Sequence, residues 1–149
     1  MLQQNEIVVI GALGILFLLG FIAFLSIPNS YAIEVLERVP IDNPRLVNAF
    51  GAPVFTHVNV NQQVQISADI TAEGYSGDFA YIVQMRDDEN RIISVSWITG
   101  NIVNGQSFSP ALSWIPTETG TFTAEIFLWK SLGQPDPLSE PVSIVITTS

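Results

Sequence analysis

Cysteine is absent from this sequence, which excludes disulfides, thiolate metal sites, iron–sulfur clusters and cysteine nucleophiles. Histidine occurs once, so a Ser-His-Asp triad would have to use His57, and no Gly-x-Ser-x-Gly nucleophile motif is present. In the stretch FTHVN this histidine has no neighbouring carboxylate or methionine, which a zinc or copper site would need. We predict that it is a solvent-facing residue of a strand. We therefore predict a protein that is not an enzyme and holds no cofactor or metal.

Basic residues are scarce: five Lys and Arg oppose 14 Asp and Glu, which gives a net charge of −9. A phosphate backbone is bound by clustered Lys and Arg, so we predict no nucleic-acid partner. The acidity indicates solubility outside a cell, with a cation-binding surface as the alternative. The densest acidic group, Asp87, Asp88 and Glu89, lacks the spacing of an EF-hand. It favours a solvated hairpin turn flanked by Arg86 and Arg91 over a calcium site.

Residues 7–27 form an uncharged apolar run of 21 residues. As a helix this run is about 31 Å long, which matches the roughly 30 Å hydrocarbon core of a bilayer. It is longer than the apolar core of an ordinary signal peptide, with cleavage at the small-residue site of residues 30–32 as the alternative. We predict one N-terminal transmembrane helix in residues 1–28 that contacts membrane lipid. In residues 29–53 we predict a short juxtamembrane helix and then, over residues 40–53, a linker or an ordered wrapping segment.

Small residues mark one face of the predicted membrane helix, where Gly11, Gly14 and Leu18 lie at helical spacing. Small side chains let two membrane helices approach closely, so these residues are candidates for helix–helix contact with other membrane or surface subunits or with a second copy. Glu6, just before the run, is a candidate for pairing with a neighbouring chain's amino terminus or a lipid head group, with exposure to water as the alternative.

The orientation of the helix is predicted from the character of the domain that follows it. Arg38 and Arg45 are the nearest basic residues, and the positive-inside rule would place that domain in the cytoplasm. Nearby acids offset both arginines, and the domain is poor in Lys, rich in Ser, Thr, Asn and Gln, and built of strands. We therefore predict a single-pass protein of the cell membrane with its β-domain extracytoplasmic.

Alternation of apolar and polar residues with period two begins at Val54 and predicts an all-β domain over residues 54–149. The predicted strands are residues 54–60, 63–71, 79–85, 92–98, 108–114, 121–129 and 142–147. About seven short strands with turns every 8 to 12 residues are typical of a two-sheet antiparallel sandwich, immunoglobulin-like or fibronectin III-like. Trp97, Trp114 and Phe122 are candidates for the core between the sheets.

The predicted strand 121–129 is apolar on one face and ends in aromatic residues on the other, at Phe127 and Trp129. An exposed apolar patch usually marks a partner-binding surface, so both are candidates for partner contact. Coverage of this face by residues 54–60 or by the linker is the alternative.

Several motifs carry a resemblance to a known kind of domain: YIVQMRD at residues 81–87, SVSWITG at 94–100, SWIP at 113–116 and TGTFTAEIFLW at 119–129. The block of residues 64–146 resembles a domain of surface proteins of ammonia-oxidising archaea (Nitrososphaeria). That resemblance implies an immunoglobulin-like extracellular module, without catalytic residues. An apolar helix before a sandwich is more loosely similar to archaeal pilins, archaellins and archaellum stator proteins.

Together these observations predict a non-catalytic, membrane-anchored protein that acts by protein contact at the archaeal cell surface. One alternative is an accessory single-span subunit of an integral membrane complex, such as an ammonia monooxygenase-type or respiratory complex. Another is a filament subunit like a pilin or archaellin.

Overall fold

The computed structural model describes residues 38–149. The predicted membrane helix, the contact residues Gly11, Gly14 and Leu18, and Glu6 all lie outside this part of the chain. Residues 38–149 contain no helix with the length and apolar character needed to cross a membrane.

Ten β-strands make up the described part of the chain. They are β1 Ile41–Val47, β2 Pro53–Val54, β3 His57–Val58, β4 Val64–Thr71, β5 Gly77–Arg86, β6 Ile92–Ile102, β7 Ser107–Phe108, β8 Ala111–Trp114, β9 Gly120–Trp129 and β10 Val142–Thr148. They form two five-stranded sheets, which confirms the predicted two-sheet β-sandwich.

The first sheet has the order β2, β1, β4, with β7 and β8 pairing in turn along the far side of β4. The second sheet has the order β3, β10, β9, β5, β6. All pairs are antiparallel except β3 with β10, which are parallel and depart from the predicted all-antiparallel arrangement. The edges of the second sheet are therefore the two-residue β3 and the 11-residue β6.

The core lies between the sheets and is built by the alternation seen in the sequence. In β4 the side chains of Ile66 and Ile70 are fully buried, and in β9 those of Ile126 and Leu128 are. Tyr81 on β5 is buried with them, and burial raises the pKa of its hydroxyl well above the usual value. The alternating residues of β9 point away from the core, as the predicted half-buried strands require.

Two of the three predicted core aromatics are buried. Trp114 and Phe122 join the core with ring centroids 5.3 Å apart in an edge-on arrangement. The prediction for Trp97 is wrong, because its side chain is 54% exposed. Trp97 lies opposite Ile82 in the β5–β6 pair, and Ile82 does not belong to the core cluster.

The segment predicted as a linker, residues 40–53, contains β1, so the sandwich begins at Ile41 and not at Val54. The pairing of β1 with β4 shifts register between Asp42 and Arg45, where Asn43 has a φ of +50°. A bulge of this kind accommodates proline, which lacks a backbone donor. Pro44 and its neighbours gave this strand the composition of a linker.

Two other predicted strands are divided in the structure. Residues 54–60 contain the second residue of β2 in the first sheet and all of β3 in the second, because the chain crosses between the sheets here. Residues 108–114 are interrupted at Pro110, which separates β7 from β8 along the same edge of β4. Proline cannot donate to the ladder, so the predicted continuous strand is broken at this point.

A polar network covers the outer face of the first sheet around Asp69 on β4. The Ser109 hydroxyl donates to Asp69 Oδ1 at 2.5 Å, Arg45 Nη2 lies 2.8 Å from the same oxygen, and Asn43 Nδ2 donates to Oδ2 at 3.0 Å. These contacts, the Ser109 hydrogen bond foremost, lower the pKa of Asp69 from 3.8 to about 2. The network ties the bulge of β1 and the loop between β7 and β8 to β4.

Acid should weaken the fold through Asp69. Because the pKa is lower in the folded state, its contribution is complete above about pH 4 and is lost as the pH falls through 2. We expect Asp69→Asn to reduce stability at pH 7 but to change it less at pH 2, as followed by urea unfolding at both values. Asp88→Asn, in the exposed turn before β6, is the control. An equal loss for Asp69→Asn at pH 7 and pH 2 would show that the ionised carboxylate of Asp69 is not the source of the stability.

Candidate functional site

An apolar row crosses three strands on the outer face of the second sheet. Trp97 on β6 pairs with Ile82 on β5, which pairs in turn with Phe127 on β9. Trp129 follows on β9, with its ring centroid 6.1 Å from that of Phe127. We call these four residues, together with Val95 on β6, the outer patch.

The large side chains of the outer patch shield the sheet beneath them. Ile82 points away from the core yet is only 6% exposed, and Ala80, paired with Trp129, is fully buried. Phe127 and Trp129 are half-buried, while Trp97 and Val95 are exposed. The part of the patch most open to solvent is therefore its β6 side.

A polar cluster borders the outer patch at the next row of side chains. Gln84 Nε2 donates to Glu125 Oε2 at 2.8 Å, and Arg86 Nε lies 2.6 Å from the same oxygen. The hydrogen bond from Arg86 is the main reason why the pKa of Glu125 is lowered. Glu125 is thus ionised and paired, so this border presents little free charge to a partner.

Strand β6 forms one edge of the second sheet and exposes apolar side chains along most of its length. The large ones that are exposed are Ile92, Ile93, Val95, Trp97 and Ile98. The strand carries neither a charged residue nor a proline. Natural edge strands usually carry such residues to prevent pairing with other chains, so β6 is an unprotected edge.

The acidic group before β6 forms the predicted hairpin turn between β5 and β6. The Arg91 backbone N–H donates to Asp87 Oδ1 at 2.8 Å, and Arg91 Nε lies 2.7 Å from Asp87 Oδ2 in an ion pair. Glu89 also forms an ion pair with Arg91. Arg86 instead pairs with Glu125. No group of three or more His, Asp or Glu side chains within residues 38–149 is arranged to hold a metal ion.

His57 lies exposed on β3, as predicted, with Nε2 2.9 Å from the Ser149 hydroxyl. This contact joins two exposed side chains at the edge of the second sheet, where β3 runs parallel to β10.

The structure brings Phe127 and Trp129 together on the outer patch, and the sequence identified both. The linker and residues 54–60 were the two segments predicted as possible covers of this face. Residues 40–53 join the first sheet, and β3 pairs with β10 at the edge of the second, so neither forms a strand over β9. Val95 and Trp97 were missed as surface residues, because apolar residues on both faces of a strand are typical of a buried one. The lack of any charge in β6 was the signal that could have revealed them.

Comparison with known proteins supports the fold. No protein-family model matches this sequence, and none of the curated proteins matches it. The C-terminal domain of Wzt superposes with a TM-score of 0.61 at 13% identity, covering 76% of this chain and 74% of that one.

Parts of two larger enzymes are also similar in structure. A glycosyl hydrolase family 2 member from Bacteroides cellulosilyticus matches 75% of this chain at a TM-score of 0.54 and 11% identity, and a β-glucosidase from Listeria innocua matches 72% at 0.50 and 8%. In each case the match covers 16% of the enzyme's chain. At these identities the likenesses show the fold alone, which is an immunoglobulin-like β-sandwich.

Proposed function

We propose that this protein is a non-catalytic, membrane-anchored surface protein whose sandwich lies outside the cell and acts by contact with other proteins. The observation that carries the proposal is the outer patch, an apolar row that continues onto an exposed and uncharged sheet edge. Exposed apolar surface of this kind marks sites of protein contact in soluble domains.

The two outer faces of the sandwich differ in a way that supports this proposal. The first sheet presents the network around Asp69, whose carboxylate already has its hydrogen-bond and ion-pair partners within the domain. The second sheet presents Trp97, Phe127 and Trp129, and burial of their apolar surfaces against a partner is energetically favourable. A partner would therefore bind the second sheet.

The anchoring part of the proposal is supported by the uncharged run of residues 7–27, long enough to span a bilayer. The archaeal cell surface as the location is supported by the resemblance of residues 64–146 to extracellular modules of ammonia-oxidising archaea. The high content of acids and the scarcity of lysine fit a domain that faces the exterior.

A single introduced cysteine tests anchoring and orientation together, because the native chain has none. Val145 is 56% exposed on β10, so Val145→Cys places a reactive thiol on the sandwich surface. In cells that express the full chain, we expect a membrane-impermeant maleimide to label this variant without lysis. We also expect the protein to stay in the membrane fraction after an alkaline wash.

The matched control is Ala124→Cys, a small change at a fully buried position on the neighbouring strand β9. This thiol should be labelled only after denaturation, which verifies that the sandwich is folded. Labelling of Val145→Cys only after lysis, or release of the chain by the alkaline wash, would overturn the proposal.

A further inference from the structure

The backbone of β6 is free along one side. Within residues 38–149, β6 pairs with β5 alone, from Gly77 opposite Ile102 to Arg86 opposite Ile92. In an antiparallel ladder, alternate residues direct their N–H and C=O groups toward opposite sides of the strand. About half of the backbone groups of β6 therefore point away from the sheet and can accept another strand.

The charge distribution restricts which strand can fit there. The protein has a net charge of −9, yet the 11 residues of β6 contain no charge. A basic or an acidic partner strand would bring charges that no side chain of β6 can pair with. The partner strand must be uncharged and apolar, which is the composition of β6 itself.

Pairing of β6 with another β6 is also geometrically consistent. Two identical strands pair antiparallel about a two-fold axis, so each contact is made twice. Overlap of all 11 residues is reached when Trp97 lies opposite Trp97 of the second copy. Val95 then lies opposite Thr99, and Arg91 opposite the uncharged Val103, so that no like charges face one another.

We propose that β6 pairs antiparallel with β6 of a second copy, centred on Trp97, and joins the second sheets of two molecules into one. This inference rests on the proposed function, contact with other proteins, and it identifies the partner as a second copy of the chain. The outer patches of the two copies would then adjoin on the same face of the joined sheet.

The size of this contact indicates where it can form. A strand of 11 residues is about 36 Å long, and a single sheet layer is roughly 10 Å deep, which is small for a specific interface. Pairing is therefore weak between free molecules and is favoured when two copies are held on one membrane, where the effective concentration is high.

Cysteine cross-linking in the full chain, inserted in lipid vesicles, tests the register. In this arrangement Cys at position 95 of one copy faces Cys at position 99 of the other, within disulfide distance. Val95→Cys with one affinity tag is mixed with Thr99→Cys carrying another, and oxidised. We expect the mixed disulfide at about ten times the yield of the disulfides from either variant alone, since 95 and 95 lie about 13 Å apart.

Two controls make the result specific. Val145→Cys, as exposed as Trp97 but on β10, should give no more dimer than the separate variants. Adding Trp97→Lys to both cysteine variants places like charges at the axis and should lower the mixed disulfide about tenfold. Equal yields from Val145→Cys, or yields that Trp97→Lys leaves unchanged, would overturn the pairing.

The outcomes separate this inference from the proposed function. A chain that is inserted and labelled from outside, but gives no mixed disulfide or links position 95 to a different protein, overturns β6 self-pairing and leaves the proposed function standing. A chain that fails to insert overturns the proposed function itself. A mixed disulfide in an inserted chain supports both.

Discussion

Replacing Leu138 by alanine is expected to lower the free energy of unfolding by about 2–5 kcal/mol, although Leu138 lies in the connection between β9 and β10. Its side chain is fully buried in the core cluster. Its backbone N–H donates to Leu128 O at 2.9 Å, and its carbonyl accepts from Val39 N at 3.1 Å. The loss would be a large part of the 5–15 kcal/mol typical of a whole domain, and urea unfolding followed by circular dichroism measures it.

The same connection provides the control for this prediction. Leu132→Ala makes the same chemical change at a side chain that is 45% exposed, so we expect a change within about 0.5 kcal/mol. Similar losses for Leu132→Ala and Leu138→Ala would mean that the connection is stabilised by its loop backbone and not by the burial of Leu138.

The central strands could be predicted from sequence because their environment is simple. β4 and β9 each have one face on the core and one face outside, so Ile66, Ile70, Ile126 and Leu128 alternate with polar or outward residues. This alternation has a direct physical cause in the pleat of the strand. Leu138 has no such pattern around it, since its burial depends on how the connection folds back on β9.

Edges and crossings could not be predicted, because they depend on contacts between segments far apart in the chain. β1 contains a bulge, Pro44 and Asn43, which locally resemble a linker. The division of residues 54–60 between two sheets depends on the positions of β1 and β10, with which β2 and β3 pair. Local composition carries no information about either partner.

The candidate site was half visible in the sequence for the same reason. Phe127 and Trp129 interrupt the polar face of an alternating strand, and this anomaly points to a contact surface. In β6 both faces carry apolar residues, a pattern that is usual for a strand buried on both faces. Only the pairing order shows that β6 is an edge, and thereby changes Trp97 from a core candidate into the centre of an exposed strand.

The two tryptophans that the sequence placed in the core should therefore respond differently to the same substitution. Trp114→Ala is expected to cost about 3–5 kcal/mol in unfolding free energy, because it leaves a cavity beside Phe122, whose ring centroid lies 5.3 Å away. Urea unfolding of the full chain in mild detergent, followed by circular dichroism, gives this value.

Trp97→Ala is the matched control, and it removes an equal side chain from the exposed edge. Trp97 lies over the buried Ile82 on the outer face, so we expect a smaller loss of about 1 kcal/mol from the apolar surface that it shields. Trp97→Ala should have a larger effect on the mixed disulfide between the Val95→Cys and Thr99→Cys variants. Trp114→Ala should leave that disulfide intact wherever the sandwich is still folded. If Trp97→Ala were as destabilising as Trp114→Ala, Trp97 would have mainly a structural role in the sandwich. A small loss of unfolding free energy for Trp97→Ala beside a large loss for Trp114→Ala would instead mean that the fold does not require Trp97. Its exposure on β6 would then be explained by contact with a partner.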